Sequence, residues 1–349
     1  MAAEKLFEII FVRFRKDSLQ KLMAISKHPV LSTSVKTIVY EADGHLQDYW
    51  NFEESHDQFK LVGSLGHETR DEWLFGSILD EASRLASSMT NLSNLDDVRF
   101  EDLTDLWPRS QDAQRLTELV LRLPKNLRGC GVRSLAAIMR AASVMANNVR
   151  HLEISNQSHG LHYNCLNLEG LDMYHTICVF TNLTHIGIYL NTVEGELGSI
   201  DVLRKGNLAE LLMAASNLQE LSLGFDQRPH ARVELVHLLG SETWKDLTRL
   251  DISAIDFHIW EMEGFFLRHQ NLAWIGLANS RLHSGQLRQL FDLLKGNVVL
   301  QSVALDGALG DSIMDFDFLE HSENRRKGTA YVLGHGQYPH FEMTKIDGN

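Results

Sequence analysis

"ASNLQELSLGFD", residues 215–226, places apolar side chains at Leu218, Leu221 and Leu223, with Asn217 directly ahead of the first. Its frame is an apolar residue, two free positions, an apolar, one free, an apolar. The frame returns as "VRHLEI" from Val149, "LTHIGI" from Leu183, "LTRLDI" from Leu247, "LAWIGL" from Leu272 and "LQSVAL" from Leu300, and the six copies are spaced by 34, 35, 29, 25 and 28 residues. Three apolar positions in six arise readily by chance, so the frame alone decides little. The preceding residue adds weight, being Asn148, Asn182, Asn217, Asp246 and Asn271 in five of the six copies. Asn and Asp tolerate left-handed backbone, so this position predicts a helix exit that turns the chain into a strand.

Between the strands lie segments whose apolar residues recur at three and four, the helical period. They are "GVRSLAAIMRAASVMAN" (131–147), "DVLRKGNLAELLMAAS" (201–216), "HIWEMEGFFLRHQ" (258–270) and "SGQLRQLFDLLKGN" (284–297). Strand, turn, helix and return at intervals near 30 describe a leucine-rich-repeat unit, whose strand cannot bury its apolar side without neighbours. The expected fold is therefore α/β: an irregular leucine-rich-repeat solenoid with parallel strands on the concave face and helices on the convex face. The consensus Asn three residues past the last apolar position occurs only as Asn191; Gln157, Asp226, Ile255, Ser280 and Ala308 stand at the other places. An irregular convex side follows.

The first half is less regular. "VKTIVY" from Val35 and "LDDVRF" from Leu95 fit the frame, "LTELVL" from Leu116 suits strand or helix, and "RDEWLFGSILDEASRLASSM" reads as a helix. "DSLQKLMAISKH" reads as a short helix with Asp17 at its N-cap and Gln20 completing a capping box. The expected organisation is an N-terminal cap with irregular early repeats over 1–125, a repeat array over 126–310, and a C-terminal cap or tail over 311–349, in one continuous solenoid.

Composition excludes several functions. A formal charge of −13 opposes binding to a phosphate backbone, which depends on clustered cations. No nucleic-acid partner is expected, and "RFRK" and "NRRK" are too short to form a basic patch. No apolar run reaches the roughly 18 residues of a membrane span. Cys130, Cys165 and Cys178 are too scattered for a disulfide framework, which fits a reducing compartment, cytoplasmic or nuclear. Phosphate loops, nucleophile elbows and dinucleotide fingerprints are absent. "HGLHYNC" spaces His159, His162 and Cys165 closely but supplies no fourth ligand, so no metal, no cofactor and no catalytic residue is assigned.

Strand alternation turns the remaining positions of each frame outward. The columns read His151, His185, Glu220, Arg249, Trp274, Ser302; then Glu153, Gly187, Ser222, Asp251, Gly276, Ala304; then Ser155, Tyr189, Gly224, Ser253, Ala278, Asp306. On such a wall a solenoid binds protein. His151, Glu153, His185, Tyr189, Glu220, Arg249, Asp251 and Trp274 are the candidate contacts, since Trp, Tyr and Arg dominate binding hot spots. The competing reading places Trp274 beneath a loop of the next repeat and leaves the two histidines as ordinary surface groups.

"LFEIIFVRFRKDSLQKLMAISKHPVLSTSVKTIVYEAD" (6–43) resembles the segment directly after the F-box in fungal F-box/leucine-rich-repeat-like proteins. The resemblance extends more loosely through "VFTNLTHIGIYLN", "FFLRHQNLAWIGLANSRLHSG" and "YVLGHGQYP". It implies docking, through the F-box, on the Skp-type adaptor of a cullin-type ubiquitin ligase, with the repeats presenting a protein substrate. The F-box would precede Leu6, where only Met1 to Lys5 stand. Adaptor binding is expected only with an F-box upstream. The alternatives are a stand-alone scaffold or sequestering protein with no ubiquitin role and, more weakly, an enzyme on a repeat fold.

Overall fold

The computed structural model describes residues 7–13, 16–42, 97–102, 135, 139–140, 142–143, 149–155, 161–162, 166, 168, 170–191, 203–225, 235–297, 300–311, 315–319 and 321–341. The chain divides into two compact units, Met1–Asn182 and Leu183–Asn349. Each mixes helices with parallel strands.

In the first unit β1 (Ile9–Arg13), α1 (Lys16–Ser26), β2 (Thr37–Ala42), β3 (Asp97–Asp102), β4 (His151–Ser155), β5 (Leu161–His162) and α2 (Gly170–Phe180) follow one another. β1 to β4 adjoin in chain order, all parallel. "VKTIVY" and "LDDVRF" thus supply strands. "RDEWLFGSILDEASRLASSM" and "LTELVL" lie outside the described residues. β1 was not legible as a strand: Ile10 and Val12 are buried while Ile9 and Phe11 are exposed, an alternation only five residues long. α1 starts at Lys16, so Asp17 falls inside the helix rather than at its cap. Within 131–147, Leu135, Met139 and Ala142 are buried at helical spacing. That segment is tied to α2 by the Arg140 Nε donating to Asp172 Oδ1 at 2.6 Å and by Ser143 Oγ against His175 Nδ1 at 2.9 Å.

The second unit carries β6 (His185–Asn191), α3 (Asn207–Ala214), β7 (Glu220–Phe225), α4 (Leu235–Leu239), β8 (Arg249–Ser253), β9 (Phe257–His258), α5 (Ile259–Arg268), β10 (Trp274–Ala278), β11 (Leu282–Ser284), α6 (Leu287–Asn297), β12 (Ser302–Asp306), β13 (Ala308–Gly310), β14 (Asp315–Asp317) and α7 (Ser322–Val332). β6, β7, β8, β10 and β12 run parallel in that order. β9 and β11 form a second, short parallel pair, and β13 with β14 an antiparallel one.

The frame residues form the core. Leu183, Ile186 and Ile188, Leu218, Leu221 and Leu223, Leu247, Leu250 and Ile252, and Leu272, Ile275 and Leu277 are all buried. Removing any one to alanine costs about 2–5 kcal/mol by the usual balance of lost transfer energy and cavity. Each copy begins on the same hydrogen bonds. The Thr184 carbonyl accepts the N–H groups of Gln219 and Glu220 at 2.8 and 3.0 Å, that of Gln219 accepts Thr248 and Arg249 at 2.8 and 3.1 Å, and that of Thr248 accepts Ala273 and Trp274 at 2.8 and 2.9 Å. Ala273 continues the series to Gln301 and Ser302, at 2.8 and 3.2 Å. In the first unit the Glu8 carbonyl does the same for Lys36 and Thr37, at 2.9 and 3.0 Å. One carbonyl holding two successive amides leaves a single way to align neighbouring strands.

The left-handed turn sits at the other end of the strand from the one expected. Among the described residues Asn182, Asn217, Asp246 and Asn271 do not have positive φ, whereas Ala254, Asn279 and Gly307, each directly after a strand, have φ of 56°, 51° and 59°. The strand must leave the sheet sharply there to begin the return path. Asn271 has another task, its amide donating to the Lys245 carbonyl of the preceding copy at 2.9 Å. At the consensus-Asn place, Ser280 performs the backbone satisfaction that an amide would: its hydroxyl donates to Ala278 O at 2.9 Å and accepts Ile255 N–H at 3.3 Å.

Buried His269 closes the turn before β10. Its Nε2 accepts the Trp244 N–H at 3.1 Å, its Nδ1 meets Phe265 O at 2.8 Å, and its ring stacks on Phe265 with centroids 4.0 Å apart. Trp244 in turn donates its indole N–H to Leu212 O at 3.2 Å. Burial pushes the imidazole down to about 4 from its ordinary 6.5, with the Phe265 carbonyl opposing. An accepting Nε2 requires the neutral ring.

Two outcomes follow for stability. Because the unfolded chain protonates His269 first, its contribution is complete above pH 6.5 and drains away as pH falls toward 4. Over that range the native protein should lose on the order of 2 kcal/mol more stability than His269→Gln, read by chemical denaturation at each pH; equal losses would place the imidazole elsewhere. Gly307→Ala, which forces a Cβ into left-handed backbone against the Asn279 amide, should cost about 1–2 kcal/mol in the same measurement.

Candidate functional site

Parallel pairing without a slip carries the outward positions into rows. His185 pairs with Glu220, Glu220 with Arg249, Arg249 with Trp274, and Trp274 with Ser302. Gly187, Ser222, Asp251, Gly276 and Ala304 form the second row; Tyr189, Gly224, Ser253, Ala278 and Asp306 form the third. Six of the eight candidate residues, His185, Tyr189, Glu220, Arg249, Asp251 and Trp274, therefore share one face of the second unit. His151 and Glu153 stand on β4 of the first unit, in register with Asp97 and Arg99.

The first row is a connected chain of polar and aromatic groups. Glu220 Oε1 lies 3.2 Å from His185 Nε2, and its Oε2 lies 3.9 Å from Arg249 Nε. The Arg249 guanidinium rests 4.0 Å from the centre of the Trp274 ring. All four side chains are partly exposed. Exposed ion pairs contribute about 0–1 kcal/mol, and a surface cation–π contact about 0.5–1 kcal/mol. Such a row holds its own side chains in place more than it holds the fold.

The Trp274 ring lies over the second row of the sheet. The far edge of its six-membered ring covers Gly276: a Cβ there would stand 2.5 Å from Trp274 Cη2 and 2.6 Å from Asp251 Oδ1. The indole lies flat because that strand position has no side chain. Tyr189 uses Gly224 in a similar way, its Cδ1 standing 3.0 Å from where a Cβ would be.

Asp251 is the most unusual group on this face. Its neighbours in the row are Ser222 and Gly276, it is half-buried, and no described hydrogen-bond donor reaches it. Burial raises its carboxyl above the ordinary carboxylate range, and Arg249 pulls in the opposite direction. At the far end, Asp306 is engaged by Arg325 of α7 at 2.7 Å.

Two other features lie on the helix side of this unit. An apolar groove between α4 and α5 is lined by Leu235, Val236, Leu239, Trp260 and Phe265, with Gly240 and Gly264. Its charged members are Glu261 and Arg268, and Glu261 already accepts the N–H groups of His258 and Val236 at 2.7 and 3.3 Å. At the start of α5, His258 Nδ1 meets Ser284 Oγ at 2.7 Å. His258 is the N-cap residue of α5, its own backbone N–H held by the Glu261 carboxylate, so this His–Ser pair sits where the helix starts.

Among the described residues no cluster of three or more His, Cys, Asp or Glu is arranged to hold a metal, and no helix is long and apolar enough to cross a membrane. His159 and Cys165 of "HGLHYNC" lie outside the described residues. Comparison of the chain with protein-family models and with curated proteins finds no match.

The flat indole gives a direct check of this face. Gly276→Ala must displace the free ends of two side chains, Trp274 and Asp251. It should shift the Trp274 indole N–H resonance in a nitrogen–proton correlation spectrum while costing less than about 1 kcal/mol, since nothing in the core moves. An unmoved resonance would contradict the placement of the ring.

Proposed function

We propose that the chain is a protein-recognition module of the leucine-rich-repeat type, a solenoid whose concave wall is the sheet face bearing His185, Glu220, Arg249 and Trp274. The observation that carries this reading is the unslipped register, which gathers a Trp, an Arg and a Tyr on one polar face with small residues between them. Aromatic and Arg anchors of this kind supply most of the energy of protein interfaces. A sheet face serving only as a wall has no need of a tryptophan laid over a glycine. In this reading the chain resembles the substrate-presenting part of an F-box subunit, and its partner is a protein; delivery to a cullin-type ligase requires an F-box that engages the Skp-type adaptor. The negative charge of the chain favours a partner segment that is neutral or basic.

Affinity capture from cell extract with the purified chain, followed by identification of the recovered protein and measurement of its affinity, tests the reading. Trp274→Ala combined with Arg249→Ala should weaken binding about thirtyfold or more and leave the thermal unfolding midpoint nearly unchanged. Equal affinity for native chain and double variant would remove this face from consideration.

A further inference from the structure

The groove between α4 and α5 is kept open by glycine, for Gly240 and Gly264 both line it. Gly240, directly after α4, has φ of 66° and so a backbone reason to be glycine. Gly264 has no such reason. It stands inside α5 without positive φ, and a Cβ added there would meet only Arg268 Nη1, the end of a flexible side chain, at 3.4 Å. Glycine within a helix is unfavourable relative to alanine. The fold would gain from a side chain at this position, so its absence points to an occupant that needs the space.

The size and rim of the groove narrow the choice of occupant. It holds about 170 Å³. An engineered cavity of about 150 Å³ takes up benzene, whereas pockets for small-molecule ligands begin at roughly 300 Å³. The groove therefore suits one large apolar side chain, Leu or Phe, delivered by something bigger. Its surroundings are apolar as well. Val236 and Trp260 on its walls are exposed, as is Leu267, and the thioether of Met213 comes within 3.6 Å of the Cβ position of Gly240. Trp260, Gly264 and Leu267 succeed one another at i, i+4 and i+7, one stripe of α5. The indole of Trp260 is already held in place, stacked on His258 with centroids 5.3 Å apart.

Charge and backbone chemistry complete the description. Glu261 is committed to the N–H groups of His258 and Val236. Arg268 is exposed, lines the groove and folds back over Gly264, with no acceptor among the described residues. A cation on an apolar rim is complemented by a carboxylate. The surface is made of helix side chains, so it offers no open strand edge to pair with. An extended segment pressed on it would bury its own N–H and C=O groups without partners; a helix satisfies them internally.

We infer that the groove between α4 and α5 docks an amphipathic α-helix of a protein partner. One Leu or Phe of that helix fills the hollow over Gly264, and a Glu or Asp beside its apolar stripe pairs with Arg268. This surface lies on the helix side of the second unit and does not depend on the sheet face proposed above. Apolar anchors at i, i+4 and i+7 are how such grooves read a helix, and an ordered tryptophan on the rim is a common centre of binding energy.

The experiment uses the full chain and three pools of sixteen-residue peptides, held helical by a hydrocarbon staple on their outer face. Each pool carries Leu, Phe or Met at i, i+4 and i+7, with Glu, Gln or Lys at the two positions flanking that stripe. The Glu pool should bind best, and an unstapled version with a central proline should bind about tenfold more weakly or worse. Gly264→Leu, which fills the hollow, should weaken binding about tenfold or more while keeping a thermal unfolding midpoint equal to or above that of the native chain. Trp260→Ala should weaken binding with the midpoint nearly unchanged, and Arg268→Gln should erase the advantage of Glu over Gln. The Trp274→Ala, Arg249→Ala double variant should bind the peptides as the native chain does; if it does not, they sit on the sheet face and the groove proposal falls. Failure to bind any pool, binding that survives both Gly264→Leu and Trp260→Ala, or a lowered midpoint in Gly264→Leu would overturn it. Self-association of the chain that Gly264→Leu abolishes would make a second copy the occupant, and would overturn it too.

Discussion

Everything described in the second unit depends on a backbone constraint repeated from strand to strand: one carbonyl, at Thr184, Gln219, Thr248 and Ala273 in turn, accepts two successive amides of the next copy. A parallel pair held by a single bond at its start could slide, and a slip of one residue would exchange the buried and outward sets of a whole strand. The doubled bond removes that freedom before the ladder begins. It also explains why the frame keeps its internal spacing while the intervals between copies vary from 25 to 35 residues. Extra residues are absorbed in the helices and returns, where no register has to be kept.

The outward face inherits this order. Since Leu221, Leu250 and Ile275 are each buried at one level, the residues before them, Glu220, Arg249 and Trp274, must stand side by side. Their contacts are those of exposed groups and add little to stability. The left-handed residues Ala254, Asn279 and Gly307 end the strands at one level too, so the rows finish together. Gly276 then lets an indole lie across the second row and bring its edge to the Asp251 carboxylate. Fold and face are separable in this arrangement, because the core lies on one side of each strand and the partly exposed side chains lie on the other.

Much of this could be read from residues, because burial of every second side chain leaves a periodic trace. The triplets beginning at Leu183, Leu218, Leu247 and Leu272 are core, and the columns derived from them are the observed register. β1 fits the frame as "FEIIFV" from Phe7 but escaped because its outward residues, Ile9 and Phe11, are apolar as well and leave no alternation to read, and α4 because "LVHLL" is shorter than two helical turns. The Asn and Asp residues before the strands were legible as turn residues but not in their geometry: an Asn that bonds across to the previous copy, as Asn271 does, looks the same in a sequence as one held in left-handed backbone. Ala254 occupies such backbone with no compositional sign of it. That Asp251 meets no hydrogen-bond donor among the described residues was hidden for a different reason, since it depends on how neighbouring side chains turn. A string of residues records neighbours along the chain, not the direction in which Arg249 turns.

Amide hydrogen exchange tests the central constraint most directly. If the doubled bonds fix the register, the N–H groups of Gln219, Glu220, Thr248, Arg249, Ala273 and Trp274 should exchange only through cooperative opening of the unit, at rates shared with the core strands β7, β8 and β10. Rapid, independent exchange at Thr248 and Ala273, comparable to that of an exposed turn, would mean that the strands are not held at their starts and that the aligned face has no backbone basis.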